Sequence, residues 1–153
     1  MRLIGLDPGL ANTGFGVIET NPSVRLIRAG CLTTMTGEPT GARLKLIGEQ
    51  FDAVVDEFSP DVAVVERVFF GVNAKSAIVT AQAEGVLLLI LAQHNIPTQS
   101  VTPQQIKAAI TGQPSASKEL VQNCVQEHLK LTTQITPHHA ADATAAALFP
   151  FGS

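Results

Sequence analysis

Arg2-Leu-Ile-Gly-Leu-Asp7-Pro-Gly-Leu-Ala-Asn-Thr-Gly-Phe-Gly16 is an apolar strand that stops on a lone carboxylate and turns back through glycine into a second extended segment. Residues 2–6 alternate too little for a half-exposed strand and read as buried. A fixed negative charge at the mouth of a buried strand is costly to desolvate unless it is paired or bound to a cation. A turn aspartate ahead of Pro8-Gly9 is the plain alternative. The placement of the other acids decides between the two.

The 153 residues suit one domain, 1–153, large enough to bury its own core without disulfides or a structural metal. Cys31 and Cys124 lie far apart in apolar or helical contexts, which fits a reducing cytoplasm and no metal motif. The chain opens on strand-like residues rather than a secretory leader. Its richest apolar run, Val86–Ala92, is too short to span a bilayer, so no membrane association is expected. A formal charge of −3 argues against a protein that coats nucleic acid nonspecifically. Distribution matters more than the total. From Arg67 through Lys118 the cations Arg67, Lys75, Lys107 and Lys118 face one acid, Glu84, so four minus one leaves +3. Glu49, Asp52, Asp56, Glu57 and Asp61 form a stretch of −5 without a lysine or arginine. One surface could attract polyanions while another repels them.

Strands at 2–6, Thr13–Glu19 and Val24–Met35 open the chain, punctuated by Asn21-Pro22 and Gly37. Gly41–Phe58 carries Leu44, Ile47, Phe51, Val54, Val55 and Phe58 at helical spacing. Asp61–Glu66 is a short apolar run capped by a second carboxylate, the pattern of a buried parallel strand. Asn73–Asn95 reads as a long helix, apolar nearly all round its C-terminal half, suited either to the centre of the core or to a subunit contact. A strand at Thr98–Val101, helices at Pro103–Ile110 and Lys118–Leu131, and an alanine-rich helix at His138–Phe149 complete the chain, with Thr136-Pro137 as expected cap and first helical residue. Three strands followed by alternating helix and strand predict an α/β layer fold on a mixed sheet of five strands with helices on both faces.

In such a sheet the first strand and the next parallel one are commonly neighbours, and ligands gather at their C-terminal ends. Asp7 and Glu66 each occupy such an end. The last helix adds His139 and Asp142, three residues apart and so on one face; His138, at i,i+4 to Asp142, has a workable spacing too. Three carboxylates and one imidazole suit Mg²⁺ or Mn²⁺ better than a structural zinc, which prefers cysteine and histidine. Two such ions, roughly 3.5–4 Å apart, stabilise the attacking and leaving oxygens of an in-line phosphoryl displacement. The reaction class predicted is phosphodiester hydrolysis. Solvated helix-end histidines and a strand-capping Glu66 are the alternatives. Asp142 is harder to set aside, because small neighbours from Ala140 to Ala147 allow close approach.

Asp7-Pro-Gly with Gly14 and Gly16, Val64-Val-Glu66-Arg-Val-Phe69, Asn73-Ala followed by Ala81-Gln-Ala-Glu-Gly85, Pro103-Gln-Gln-Ile-Lys107 and Ala140-Ala-Asp142-Ala, taken in order, resemble the RuvC family of crossover (Holliday) junction endodeoxyribonucleases. The resemblance covers almost the whole chain. It implies an RNase H-like fold, a homodimer, and symmetric nicking of a four-way DNA junction in recombination and repair. Mg²⁺, or Mn²⁺ in its place, would serve with two ions per active site. It further implies that Asp7, Glu66 and Asp142 match three acids of the metal site, with His139 where the family often has a fourth. Histidine ligates only when neutral, so activity is expected to fall as pH drops toward the range where a free imidazole titrates, about 6.5. By resemblance, Phe69 stacks on an unpaired base at the crossover, beside Phe70, and Lys107 and Lys118 lie near the scissile strand, with Arg67 and Lys75 flanking the cleft. Docking of branch-migration helicase proteins is also implied.

Three other readings stand beside this one: a noncatalytic nucleic-acid-binding module that retains the fold, a relative acting on structured RNA, and an actin-like ATP-binding protein, which also opens on an Asp-containing glycine-rich hairpin. The last needs a second lobe and a second phosphate hairpin, and the sequence offers neither.

Overall fold

The computed structural model describes residues 1–67 and 73–151. Three antiparallel strands, β1 (Arg2–Asp7), β2 (Asn12–Glu19) and β3 (Arg25–Thr33), lead into helix α1 (Thr40–Phe58). Strand β4 (Val62–Glu66), helix α2 (Ala74–Gln93) and strand β5 (Thr98–Val101) follow, then helices α3 (Pro103–Thr111), α4 (Lys118–His128) and α5 (His138–Leu148) and a terminal 3₁₀ turn, Phe149–Phe151. The sheet order is β3-β2-β1-β4-β5, with β1–β4 and β4–β5 parallel. This is the expected five-stranded mixed sheet, with helices on both faces.

Strand periodicity sorts the core. Ile4, Leu6, Phe15, Val17, Ala63 and Val65 point to one face and meet Ile47 and Phe51 of α1 and Leu87 and Leu91 of α2. Leu3, Ile18, Val64 and Val101 point to the other, against Ile106 and Ile110 of α3, Val121 and Val125 of α4 and the alanines of α5. Successive side chains alternate faces. Asp7 therefore shares the second face with Leu3 and Gly5, and Glu66 shares it with Val64. The register sets Leu6 beside Val65, so the two carboxylates are each one residue further on, on adjacent strands.

Helix α5 lies unusually close to that face. A β-carbon at Gly5 would overlap the Ala143 carbonyl, and one at Gly14 the His139 carbonyl. Ala140, Ala143, Ala146 and Ala147 are fully buried. Tight backbone approach is what glycine in a strand and alanine in a helix permit.

Three expectations change. The Asn73–Asn95 helix does not run through the centre: α5 does, while α2 keeps Ile78 (57%) and Leu89 (58%) exposed. By length and composition α2 would pass for a membrane span, yet Ala83, Leu87 and Leu91 are sealed into the core under α1. The cap of α5 is also displaced. Pro137 is extended (φ −68°, ψ 173°), so the helix begins at His138 and no side chain caps it. Thr136 is thereby one residue too early to reach the first amides. Helices α2 and α4 end at Gln93 and His128 rather than Asn95 and Leu131, because Asn95 (φ 57°) and Lys130 (φ 52°) turn left-handed.

Candidate metal centre and nuclease site

Asp7, Glu66, His139 and Asp142 line one cleft of about 290 Å³, together with Lys107, Lys118, Pro103, Ile106 and Val121. Asp7 and Glu66 are delivered by the ends of β1 and β4. His139 and Asp142 come from the first turn and a half of α5, held down by Gly14 beneath His139. Lys107 projects from α3. Lys118 is the first residue of α4, whose amides are capped by Ser117 accepting from the Leu120 N–H. Helix α3 starts in a full capping box: Thr102 accepts from the Gln105 N–H while Gln105 accepts from that of Thr102. Both lysines thus sit on firmly started helices.

Of the two neighbouring histidines, His139 lines the cleft and His138 does not. His139 Nδ1 lies 2.9 Å from Asp7 Oδ2, so an N–H there donates to the carboxylate and leaves Nε2 unengaged. His138 is exposed and stacks against its neighbour with ring centroids 4.2 Å apart, outside the cleft. Asp142 Oδ2 accepts from Lys118 Nζ at 3.2 Å.

Burial pushes Glu66 up from its ordinary 4.5 to about 7, and repulsion from Asp7 and Asp142 adds to it, against the pull of Lys118 and Lys107. Burial also raises Asp7, although the His139 hydrogen bond opposes it. These are carboxyls crowded into a site whose own cations do not fully compensate them. Three carboxylates and two ammoniums leave a formal −1.

That donor set fits a hard divalent cation: three carboxylates, one imidazole and unbalanced negative charge. Among the described residues, no three His, Cys, Asp or Glu side chains are already gathered closely enough to enclose an ion. His139 is turned to Asp7 and Asp142 to Lys118.

The remaining expected residues divide. Arg67 is exposed just past β4 and does not line the cleft. Lys75 lines a neighbouring cleft instead. Phe69 and Phe70 lie outside the described residues. Sequence reasoning passed over Arg43, which lines that second cleft from α1; within an amphipathic helix it carries no signal that separates it from any solvated arginine.

An α/β sheet of this order, with carboxylates converging from the adjacent ends of β1 and β4 and from the last helix, defines an RNase H-like nuclease. Residues 3–149 match the family described as "Crossover junction endodeoxyribonuclease RuvC". A relative of that name from Chloroflexus aggregans is 42% identical over 149 residues, covering 97% of this chain and 91% of its own. The Thermus thermophilus RuvC structure superposes with a TM-score of 0.90 at 31% identity, covering 99% of this chain and 94% of that one. T. thermophilus RuvC in complex with Holliday junction substrate gives 0.92 at 31% identity, covering 97% and 92%. The chain belongs to the RuvC family of metal-dependent endonucleases.

Proposed function

We propose that this protein is a Holliday junction resolvase: a structure-specific endodeoxyribonuclease, built as a single nuclease domain, that hydrolyses phosphodiesters symmetrically at four-way DNA junctions. The observation that carries the reading is the convergence of Asp7, Glu66, His139 and Asp142 on one cleft that also holds Lys107 and Lys118. Family membership supplies the substrate class.

Asp7, Glu66, Asp142 and His139 would hold Mg²⁺, or Mn²⁺ in its place, with two ions per site. When bound, the metal supplies a water nucleophile and stabilises charge on the leaving oxygen. Everything else falls to the chain. Lys118, paired with Asp142 before substrate arrives, can exchange that carboxylate for the scissile phosphate, and Lys107, lining the same cleft, can offset a second phosphate oxygen. His139, anchored through Nδ1 to Asp7, would present Nε2 as a ligand. Arg67, beside the cleft, contributes a backbone contact that sets register without reading bases. Phe69 stacks on an unpaired base at the crossover, with Phe70 beside it, a role worth about 1–3 kcal/mol per base.

A symmetric pair of cuts needs a two-fold partner. The exposed Ile78, Leu88 and Leu89 of α2 offer an apolar face for a second copy of this chain. The resulting homodimer acts in the cytoplasm, where branch-migration helicase proteins would share its substrate.

The test compares cleavage of a four-way DNA junction, a matched duplex and structured RNA in Mg²⁺, with ATP hydrolysis measured alongside and Asp7→Asn as control. Paired nicks in the junction alone, absent in Asp7→Asn, are expected. Preferential cutting of RNA, or turnover of ATP, would overturn the reading.

A further inference from the structure

On the far side of His139 lies a second cleft of about 480 Å³. Its walls are the β1–β2 turn (Leu10, Ala11, Asn12), Arg43 of α1, and Asn73, Lys75, Ser76, Val79 and Thr80 at the start of α2; His139 lines both clefts and separates them. Among the described residues, no acidic side chain lines it. Its character is opposite to that of the carboxylate cleft next door: two cations surrounded by hydroxyl and amide groups.

Arg43 is not a loose surface cation. Its Nε donates to Thr34 Oγ1 at 2.9 Å, and that hydroxyl donates in turn to the Leu10 carbonyl at 2.5 Å. The relay fixes the guanidinium plane over the β1–β2 turn through its inner nitrogen. Among the described residues its two outer amino groups have no hydrogen-bond or ion-pair partner, and Lys75 has none either. A guanidinium held by Nε with its outer fork unpaired is the geometry that grips a phosphate by two parallel hydrogen bonds. The amides opening α2 are partly satisfied by Asn73, which accepts from the Ser76 N–H, so the positive character comes from side chains and not from a bare helix end.

We infer that this second cleft is a phosphate subsite for the strand being cut, gripping its backbone within one or two nucleotides of the scissile phosphate, with Arg43 as principal ligand and Lys75 as the second. The strand would pass over His139 from one cleft to the other. A phosphate fixed there sets which phosphodiester lies over the carboxylates, so Arg43 acts as a positioning residue for the cut. This rests on the nuclease reading above.

The experiment measures binding of a four-way junction by wild type, Lys75→Gln, Arg43→Lys and Arg43→Gln/Lys75→Gln across a salt titration in EDTA, then repeats it with single methylphosphonates along the cut strand. The double variant is expected to lose about 0.9 from the slope of log K against log salt for each phosphate contact removed, up to about 1.8. Arg43→Lys should keep that slope while shifting the cut position, because charge is retained and the fork is lost. A neutral phosphate at one position beside the cut should weaken wild type about fivefold to tenfold and the double variant less than twofold. Equal penalties in both proteins, an unchanged slope, or a responsive phosphate in an uncut strand would each overturn the subsite while leaving junction cleavage standing. A wild type that fails to cut junctions overturns both. Lys75→Gln, on an exposed helix position, carries the test should Arg43 variants fold poorly.

Discussion

Helices α5 and α2 are the two most apolar helices of the chain, and they end up in opposite situations. α2 is rich in Leu, Ile and Val, yet Ile78, Leu88 and Leu89 face outward. α5 is six alanines in eleven residues and, Asp142 apart, is buried from Ala140 to Leu148. Hydropathy alone would have ranked them the other way. The deciding variable is how near the backbone can come: Gly5, Gly14 and Gly16 on β1 and β2 clear a bed into which only small helix side chains fit. Close seating is also what brings Asp142 and His139 down to the level of Asp7. The buried helix therefore carries two of the proposed site residues, and the greasier one keeps an exposed apolar face.

The largest way to break that contrast is Gly14→Val. Its β-carbon would meet the His139 carbonyl, which is backbone and cannot swing aside. Overpacking of this kind costs about 3–5 kcal/mol here, at the upper end for core substitutions. Thermal denaturation should show a drop of roughly 10 °C or more, with junction cleavage lost even where the protein remains folded. A variant with wild-type melting would mean that α5 is not seated as tightly as described.

Glu66→Gln should separate stability from activity. Folded Glu66 titrates near 7 against an ordinary 4.5, so between those values the native state binds more protons than the unfolded one. Stability then falls as pH rises through that window, and the full penalty is present above it. Removing the charge should stabilise the metal-free protein at pH 8 by about 1–3 kcal/mol, a rise of roughly 3–10 °C, and flatten its pH dependence. Cleavage should fall by about a thousandfold or more, since a proposed metal ligand is gone. Wild-type protein given excess Mg²⁺ should recover the same stabilisation by mass action. A metal-free melting curve for Glu66→Gln that tracks wild type from pH 5 to 8 would contradict the crowded-carboxylate account.

How far the sequence carries this picture depends on which kind of information each feature needs. Asp7 and Glu66 are legible because both terminate apolar strand runs, a one-dimensional signal. That both carboxylates face α5 is not, because it depends on strand parity relative to a helix more than a hundred residues away. His138 and His139 stand at equally good spacing to Asp142, and only the starting point of α5 at His138 sends one outward and seats the other over Gly14. The Lys118–Asp142 pair and the Arg43–Thr34–Leu10 relay each join residues whose local patterns are ordinary. The Thr136 cap fails on a single backbone angle, the extended ψ of Pro137.

Leu89→Glu probes the outward helix. The side chain is 58% exposed, so a charge there costs the isolated fold little, within about 0.5 kcal/mol. Between two copies it would be buried unpaired, at a cost of several kcal/mol. Sedimentation should therefore move from dimer to monomer at micromolar concentration with little change in helical content. Paired nicking of the junction should collapse into slow single nicks. A wild type that sediments as a monomer, or a dimer unchanged by the substitution, would remove α2 as the proposed contact.

The smallest expected effect sharpens the same comparison by reversing its sign. Gly85 lies in α2, and a β-carbon built there meets nothing within 4 Å, whereas one at Gly14 collides with backbone. In an exposed helix interior, Gly→Ala gains about 0.5–1 kcal/mol by reducing the freedom of the unfolded chain. Gly85→Ala should then raise the melting temperature by roughly 2–4 °C, measured in dilute protein where the monomer dominates. At concentrations where the dimer forms, a partner backbone lying close against residue 85 would turn that gain into a loss, since the methyl group would hold the two helices apart. A rise in dilute solution combined with weakened dimerisation would assign Gly85 to the contact, and a rise at both concentrations would move the contact along α2 toward Ile78 or Leu89. A fall in dilute solution would contradict the open space above Gly85, and with it the claim that α2 is the helix left unburied.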